Sequence, residues 1–71
     1  MNEWIRQARV AAGFASYAAA AAASGGAINA ARWQQLEETA VRAITRLEMG
    51  GLATALGMMP NQVAQYVRLA D

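Results

Sequence analysis

The chain contains no cysteine and no histidine among its 71 residues. Without thiols and imidazoles it cannot form disulfide bonds, the common zinc sites or a serine–histidine–aspartate triad. It also lacks a glycine-rich phosphate loop and paired carboxylates, because Glu37 and Glu38 are adjacent in sequence and do not face each other on a helix. We therefore expect neither an enzyme nor a cofactor.

Charged residues are scarce as well. Six arginines oppose five acidic residues, which gives a formal net charge of +1. A strong phosphate binder usually carries a larger positive excess, so composition alone does not predict a nucleic-acid partner. Residues 10–31 carry no charge, but 12 of these 22 residues are alanine, which contributes little to transfer into lipid. We expect no membrane span and no signal peptide, and hence a cytoplasmic protein.

Helix-forming residues are abundant instead. Nineteen residues are alanine, and leucine, arginine, glutamine, glutamate and methionine are also frequent. Glycines and the single proline divide the chain into about five short helices. We predict an all-α fold, formed by one small domain over residues 1–71. A domain of this size buries a low fraction of its surface, which favours a homodimer.

Capping residues indicate where the helices begin. The first two helices are predicted over residues 2–12 and 16–24, with Asn2 and Ser16 as their N-caps. The third begins at Asn29, a preferred N-cap, and Ile28 and Trp33 take the two positions of a hydrophobic staple around it. This start is the best defined in the chain.

The end of the third helix is open to two interpretations. Apolar residues at helical spacing allow one continuous helix through residues 28–49. Alternatively, the helix ends near Glu38, and the capping box Thr45-Arg46-Leu47-Glu48 opens a fourth helix over residues 46–56. We favour the break because it agrees with the resemblance described below.

Glycine and proline mark the last third of the chain. Gly50 and Gly51 lie inside the fourth helix, where glycine is unfavourable, so they predict either a second break or a tight packing contact. Pro60 suits the first position of a last helix, which is predicted over residues 60–70.

Three segments resemble parts of the Cro/CI repressor (Xre) family. Residues 27–37 match the turn and recognition helix: a small residue, an apolar residue, an N-cap, three variable positions, an apolar residue, two polar residues, an apolar residue and glutamate. Residues 5–14 resemble the family's first helix, and residues 52–58 resemble its closing segment. The resemblance implies a helix-turn-helix protein that binds operator DNA as a dimer and represses transcription.

This sequence departs from the family pattern around the second helix. Tyr17 or Ala18 stands where the family usually has a polar residue, and the turn at Ser24-Gly25-Gly26 is longer by about two residues. A second registration is also open, because residues 52–68 are similar to a complete helix-turn-helix with Gly57 at its turn. Its groove-facing residues would be Asn61, Gln62, Gln65 and Arg68.

The first registration defines the candidate DNA-binding residues. The candidate base contacts are Asn29, Ala30, Arg32, Gln34 and Gln35. Arginine can donate two hydrogen bonds to guanine, and glutamine can pair with adenine. The candidate phosphate contacts, which position a protein without reading sequence, are Arg6, Arg9, Arg42 and Arg46. The alternative interpretation is an ordinary solvated helix face, with Arg6 paired to Glu3 one turn away.

A different class of function is also consistent with the sequence. The near-neutral charge, the alanine-rich second helix and the methionines at positions 49, 58 and 59 favour a small helical adaptor or inhibitor that binds another protein.

Overall fold

The structure is a computed structural model that describes residues 2–39 and 41–70. Within these residues it is mostly helical, as predicted, with a short two-stranded bridge that was not predicted. The elements in chain order are α1 (Glu3–Ala11), α2 (Tyr17–Ala23), α3 (Ala30–Glu38), β1 (Ala43–Ile44), α4 (Arg46–Leu56), α5 (Pro60–Val63) and β2 (Arg68–Leu69).

Of the four predicted N-cap side chains, three accept a hydrogen bond at a helix start, and that of Asn2 does not. The side-chain oxygens of Ser16 and Asn29 accept hydrogen bonds from the backbone amides three residues on, at 3.1 and 2.7 Å. Thr45 and Glu48 form a complete capping box at the start of α4. The third helix therefore ends at Glu38, and the interpretation as one continuous helix through residues 28–49 is wrong.

The predicted last helix is wrong beyond its first turn. α5 ends at Val63, and the chain then makes a turn and enters β2. Val67 is buried in the core, and as a β-branched residue it favours an extended backbone. The spacing of Val63, Tyr66 and Val67 is typical of a helix face, but only Val63 is helical; Tyr66 lies in a turn and Val67 directly precedes β2.

β2 pairs in parallel with β1, in the register Ala43 to Arg68 and Ile44 to Leu69. The backbone amide of Arg68 donates to the carbonyl of Arg42 at 2.9 Å, and the amide of Ala70 donates to that of Ile44 at 2.7 Å. This pairing ties the end of the chain to the α3–α4 connection.

The core takes buried residues from all five helices and from β1. Ile28 and Trp33, the predicted staple, are 2% and 0% exposed. Asn2 links the start of α1 to α3 and to the segment before β1. Its side-chain amide donates to the carbonyls of Leu36 at 2.8 Å and Val41 at 2.7 Å. The largest fully buried side chains are Trp33, Ile5, Leu36, Ile44, Leu52, Glu37 and Val63.

The glycine pair of α4 marks a tight packing contact and not a break. A Cβ atom on Gly51 would lie 2.7 Å from the Cβ of Ala27, in the α2–α3 connection. Only a glycine lets these two backbones approach so closely. A Cβ atom on Gly50 would meet nothing within 4 Å. Among the described residues, no helix has the length and apolar character needed to cross a membrane.

This contrast predicts opposite effects of the same substitution at neighbouring positions. Gly50→Ala should raise the free energy of unfolding by about 1 kcal/mol, because alanine is the better helix former. Gly51→Ala should lower it by about 1–3 kcal/mol, because the new methyl group overlaps Ala27. Urea denaturation followed by circular dichroism measures both, and equal effects of the two substitutions would contradict the close contact.

Candidate nucleic-acid interface

α2 and α3 are joined by a connection of six residues, 24–29, which is longer than the three or four residues of a typical helix-turn-helix. The connection is held by Ser24, which is buried. Its hydroxyl donates to the carbonyl of Ala21 at 2.6 Å and accepts from the amide of Ile28 at 3.1 Å. Gly25 and Gly26 adopt positive φ angles of 71° and 88° between these two contacts.

One side of α3 is polar and faces away from the core. Gln34 and Gln35 are exposed, as is Asn29 at the N-cap, whereas Ala30 is half-buried. The opposite side of the helix carries Trp33, Leu36 and Glu37, all of which are buried. The structure thus brings three of the five candidate base-contacting side chains to an exposed surface.

Arg32 lies on the same helix but is held by other residues. Its Nε and Nη2 donate to the two carboxylate oxygens of Glu48 at 2.6 and 3.2 Å, and its Nη1 donates to Gln35 Oε1 at 2.7 Å. The side chain of Arg32 is 29% exposed and that of Glu48 is 12% exposed. The hydrogen bond from Arg32 lowers the pKa of Glu48 below its usual value. Arg32 therefore links α3 to α4, and a base contact requires this ion pair to open.

Arg9 does not offer its guanidinium group to a phosphate, because the group is buried. Its Nε and Nη2 donate to the carboxylate oxygens of Glu37 at 2.9 and 2.8 Å, and its Nη1 donates to the carbonyl of Phe14 at 2.9 Å. The guanidinium carbon also lies 5.2 Å from the centre of the Tyr17 ring. The hydrogen bonds to Glu37 raise the pKa of Arg9 above its usual value. The prediction of a phosphate contact at Arg9 is corrected to an internal ion pair.

Glu37 is the residue of this region whose role the sequence did not predict. It is 1% exposed and also accepts a hydrogen bond from Trp33 Nε1 at 3.0 Å. Its position beside Leu36, and one turn after Trp33, places it on the apolar side of the predicted helix. A carboxylate at such a position requires a buried cationic partner. This requirement was the feature of the sequence that could have indicated a buried ion pair at Glu37.

Arg6 pairs locally with Glu3 at the surface. The ion pair spans 2.6 Å, and the two side chains are 50% and 42% exposed. Its guanidinium group stays accessible, because solvent screens such pairs and they open at little cost.

The second registration, over residues 52–68, is wrong. Gly57 does end α4 in the left-handed conformation, with φ of 67°. However, α5 has only four residues, and the side chain of Gln62 accepts a hydrogen bond from the amide of Met59 at 2.7 Å. Arg68 lies in β2 and not on a recognition helix with Asn61. By contrast, α3 has nine residues and exposes Gln34 and Gln35.

Comparisons with known proteins add no family assignment: no family model, curated protein or solved structure gives a significant match to this chain. In the described residues, no group of three or more histidine, cysteine, aspartate or glutamate side chains is placed to hold a metal ion.

Removing one partner of the buried pair should destabilise the fold strongly. Glu37→Gln leaves the charge of Arg9 uncompensated, so the free energy of unfolding should fall by about 3 kcal/mol. The double variant Arg9→Met with Glu37→Leu should recover much of this loss, because it removes both charges. Chemical denaturation checks both variants. A double variant less stable than Glu37→Gln would show that the contacts of Arg9 to Phe14 and Tyr17 matter more than its charge pairing.

The Arg32–Glu48 pair should make stability depend on acidity. The pKa of Glu48 is lower in the folded chain than in the unfolded chain, so its contribution is present above the unfolded pKa of about 4.3. This contribution is lost as the pH falls through the folded pKa. Glu48→Gln keeps a capping-box residue and should flatten the fall in the free energy of unfolding below about pH 5. Glu3→Gln, in an exposed pair, is the control and should change the slope less.

Proposed function

We propose that this protein is a small DNA-binding transcriptional regulator of the Cro/CI repressor kind, acting as a repressor that occupies operator DNA as a homodimer. The observation that carries the proposal is the polar side of α3, where Asn29, Gln34 and Gln35 lie exposed over a buried Trp33 and Leu36. These side chains project from a helix whose rotation about its axis is fixed by the core.

The dimensions of α3 suit the major groove of DNA. An α-helix with its side chains is about 10–12 Å in diameter, and the groove is about 12 Å wide, so the groove admits α3. Glutamine amides can form paired hydrogen bonds with adenine, and the methyl group of an exposed alanine can contact that of thymine. The exposed positions of α2 carry alanines such as Ala18, Ala19 and Ala22. Small side chains there let the two-helix unit approach the DNA backbone closely.

A homodimer completes the proposal. One α3 contacts only a few base pairs, and a two-fold dimer would place two such helices about one turn of DNA apart. The core of a 71-residue chain is also small enough to benefit from association.

DNA binding is tested by fluorescence anisotropy at low salt, on random duplexes and on duplexes selected from genomic fragments. For the selected duplex, Gln34→Ala with Gln35→Ala should weaken binding by about tenfold or more, because paired amide contacts to bases are lost. The control is Gln7→Ala, which removes an exposed glutamine from α1. Absence of binding by the unmodified protein at micromolar concentration would reject the proposal.

The second candidate function is a protein-binding adaptor or inhibitor. It is favoured by a groove of about 760 Å³ between the Gly25–Gly26 turn and α4. Leu47 lines this groove and is 69% exposed. Gly50 also lines it, and a Cβ atom there would meet no other atom within 4 Å. A specific protein that co-purifies after nuclease treatment, and is lost with Leu47→Asp, would support this function over DNA binding.

A further inference from the structure

The side chains of Arg32 and Gln35 lie one turn apart on α3 and are hydrogen-bonded. Arg32 Nη1 donates to Gln35 Oε1 at 2.7 Å. A guanidinium group carries donors only, so the atom of Gln35 that faces it has to be the amide oxygen. Because the amide is planar, its Nε2 hydrogens then point away from Arg32. Gln35 is exposed, so this amino group is the part of the side chain that a partner can reach.

Arg32 is itself held in place from α4. Its Nε and Nη2 donate to the two carboxylate oxygens of Glu48, and Glu48 Oε1 also accepts from the backbone amide of Thr45 at 3.0 Å. Hydrogen bonds from a charged donor are stronger than those between neutral groups. Turning the Gln35 amide round would break such a bond and set its amino group against the guanidinium group. The oxygen of Gln35 therefore stays directed at Arg32.

Gln34, the next residue before Gln35, is not held in this way. Its Nε2 lies 3.5 Å from Glu38 Oε1, which is beyond the usual range for a hydrogen bond. The Gln34 amide can therefore turn so that both its oxygen and its amino group meet a base. The two neighbouring glutamines differ in what they present: Gln34 offers a donor and an acceptor, whereas Gln35 offers a donor.

We propose that Arg32 is a positioning residue that fixes the Gln35 amide as a hydrogen-bond donor, and that the base contacted by Gln35 is guanine. This inference rests on the proposed function and names the base that one side chain of the same interface recognises. In the major groove guanine presents two acceptors, N7 and O6, whereas adenine presents the N6 amino group beside N7. A glutamine that can turn pairs with adenine through both amide atoms. With its oxygen held by Arg32, Gln35 instead favours guanine.

The experiment measures binding to variants of the selected duplex in which each base pair is replaced in turn. Gln35→Ala identifies the position read by Gln35, since discrimination should be lost at that base pair. There the unmodified protein should bind the guanine duplex about tenfold more tightly than the adenine duplex. Arg32→Met releases the Gln35 amide and should shift this ratio towards adenine by about tenfold or more. The base preference at the position read by Gln34 should not change.

Two further variants separate positioning from stability and charge. Arg32→Met with Glu48→Gln removes both charges of the ion pair and keeps a capping-box residue, and it should show the same shift towards adenine. Arg6→Met removes an exposed, paired arginine from α1 and should leave the base preference unchanged. Circular dichroism verifies that each variant is folded.

Several outcomes would overturn the inference and leave the proposed function intact. These are an adenine preference of the unmodified protein at the Gln35 position, a guanine preference that survives in both Arg32 variants, and a Gln35→Ala variant that keeps full discrimination at every base pair. The preference of the unmodified protein decides the matter even where a variant does not fold. Absence of DNA binding by the unmodified protein would overturn both the inference and the proposed function.

Discussion

The buried ion pair of Arg9 and Glu37 holds the first and third helices together, and the rest of the structure depends on it. Both carboxylate oxygens and all three guanidinium nitrogens are engaged, and Trp33 adds a further donor. Burying two charges costs free energy that only complete hydrogen bonding offsets. Trp33, Leu36 and Glu37 together define the inward side of α3, and Gln34 and Gln35 lie on the remaining, exposed part of the helix. The pair with Arg9 thus helps to fix the orientation of the candidate interface.

A second ion pair fixes α3 from the other side. Arg32 binds Glu48, which also caps α4, so the two helices share one carboxylate. The close approach of Gly51 to Ala27 brings α4 against the connection that precedes α3. α3 is therefore held to α1 through Arg9 and to α4 through Arg32. A helix held at two points presents its free side in one orientation, which reduces the entropy lost on binding.

Sequence reasoning succeeded where the signal is local. The caps at Ser16, Asn29 and Thr45 depend on residues three positions apart, and all three form, whereas the side chain of Asn2 bonds to distant carbonyls instead of capping α1. It failed where the deciding contact is distant. Each strand has only two residues and no alternating pattern, so β2 could not be distinguished from a continuing helix until its partner near Arg42 was known. Glu37 closes the repressor-like pattern and Arg9 was a candidate phosphate contact, but their pairing across 28 positions requires the fold.

Net charge is a poor guide to the charge that this chain presents to a partner. Composition gives +1, which argues against a polyanionic ligand, yet most of the acidic side chains neutralise arginines within the fold. Among the described residues, three of the four acidic side chains pair with arginines, and the exposed side of α3 carries neutral amides. Under the proposed function, affinity for DNA would therefore come from base contacts by α3 and from the doubling of the interface in a dimer, and less from phosphate contacts.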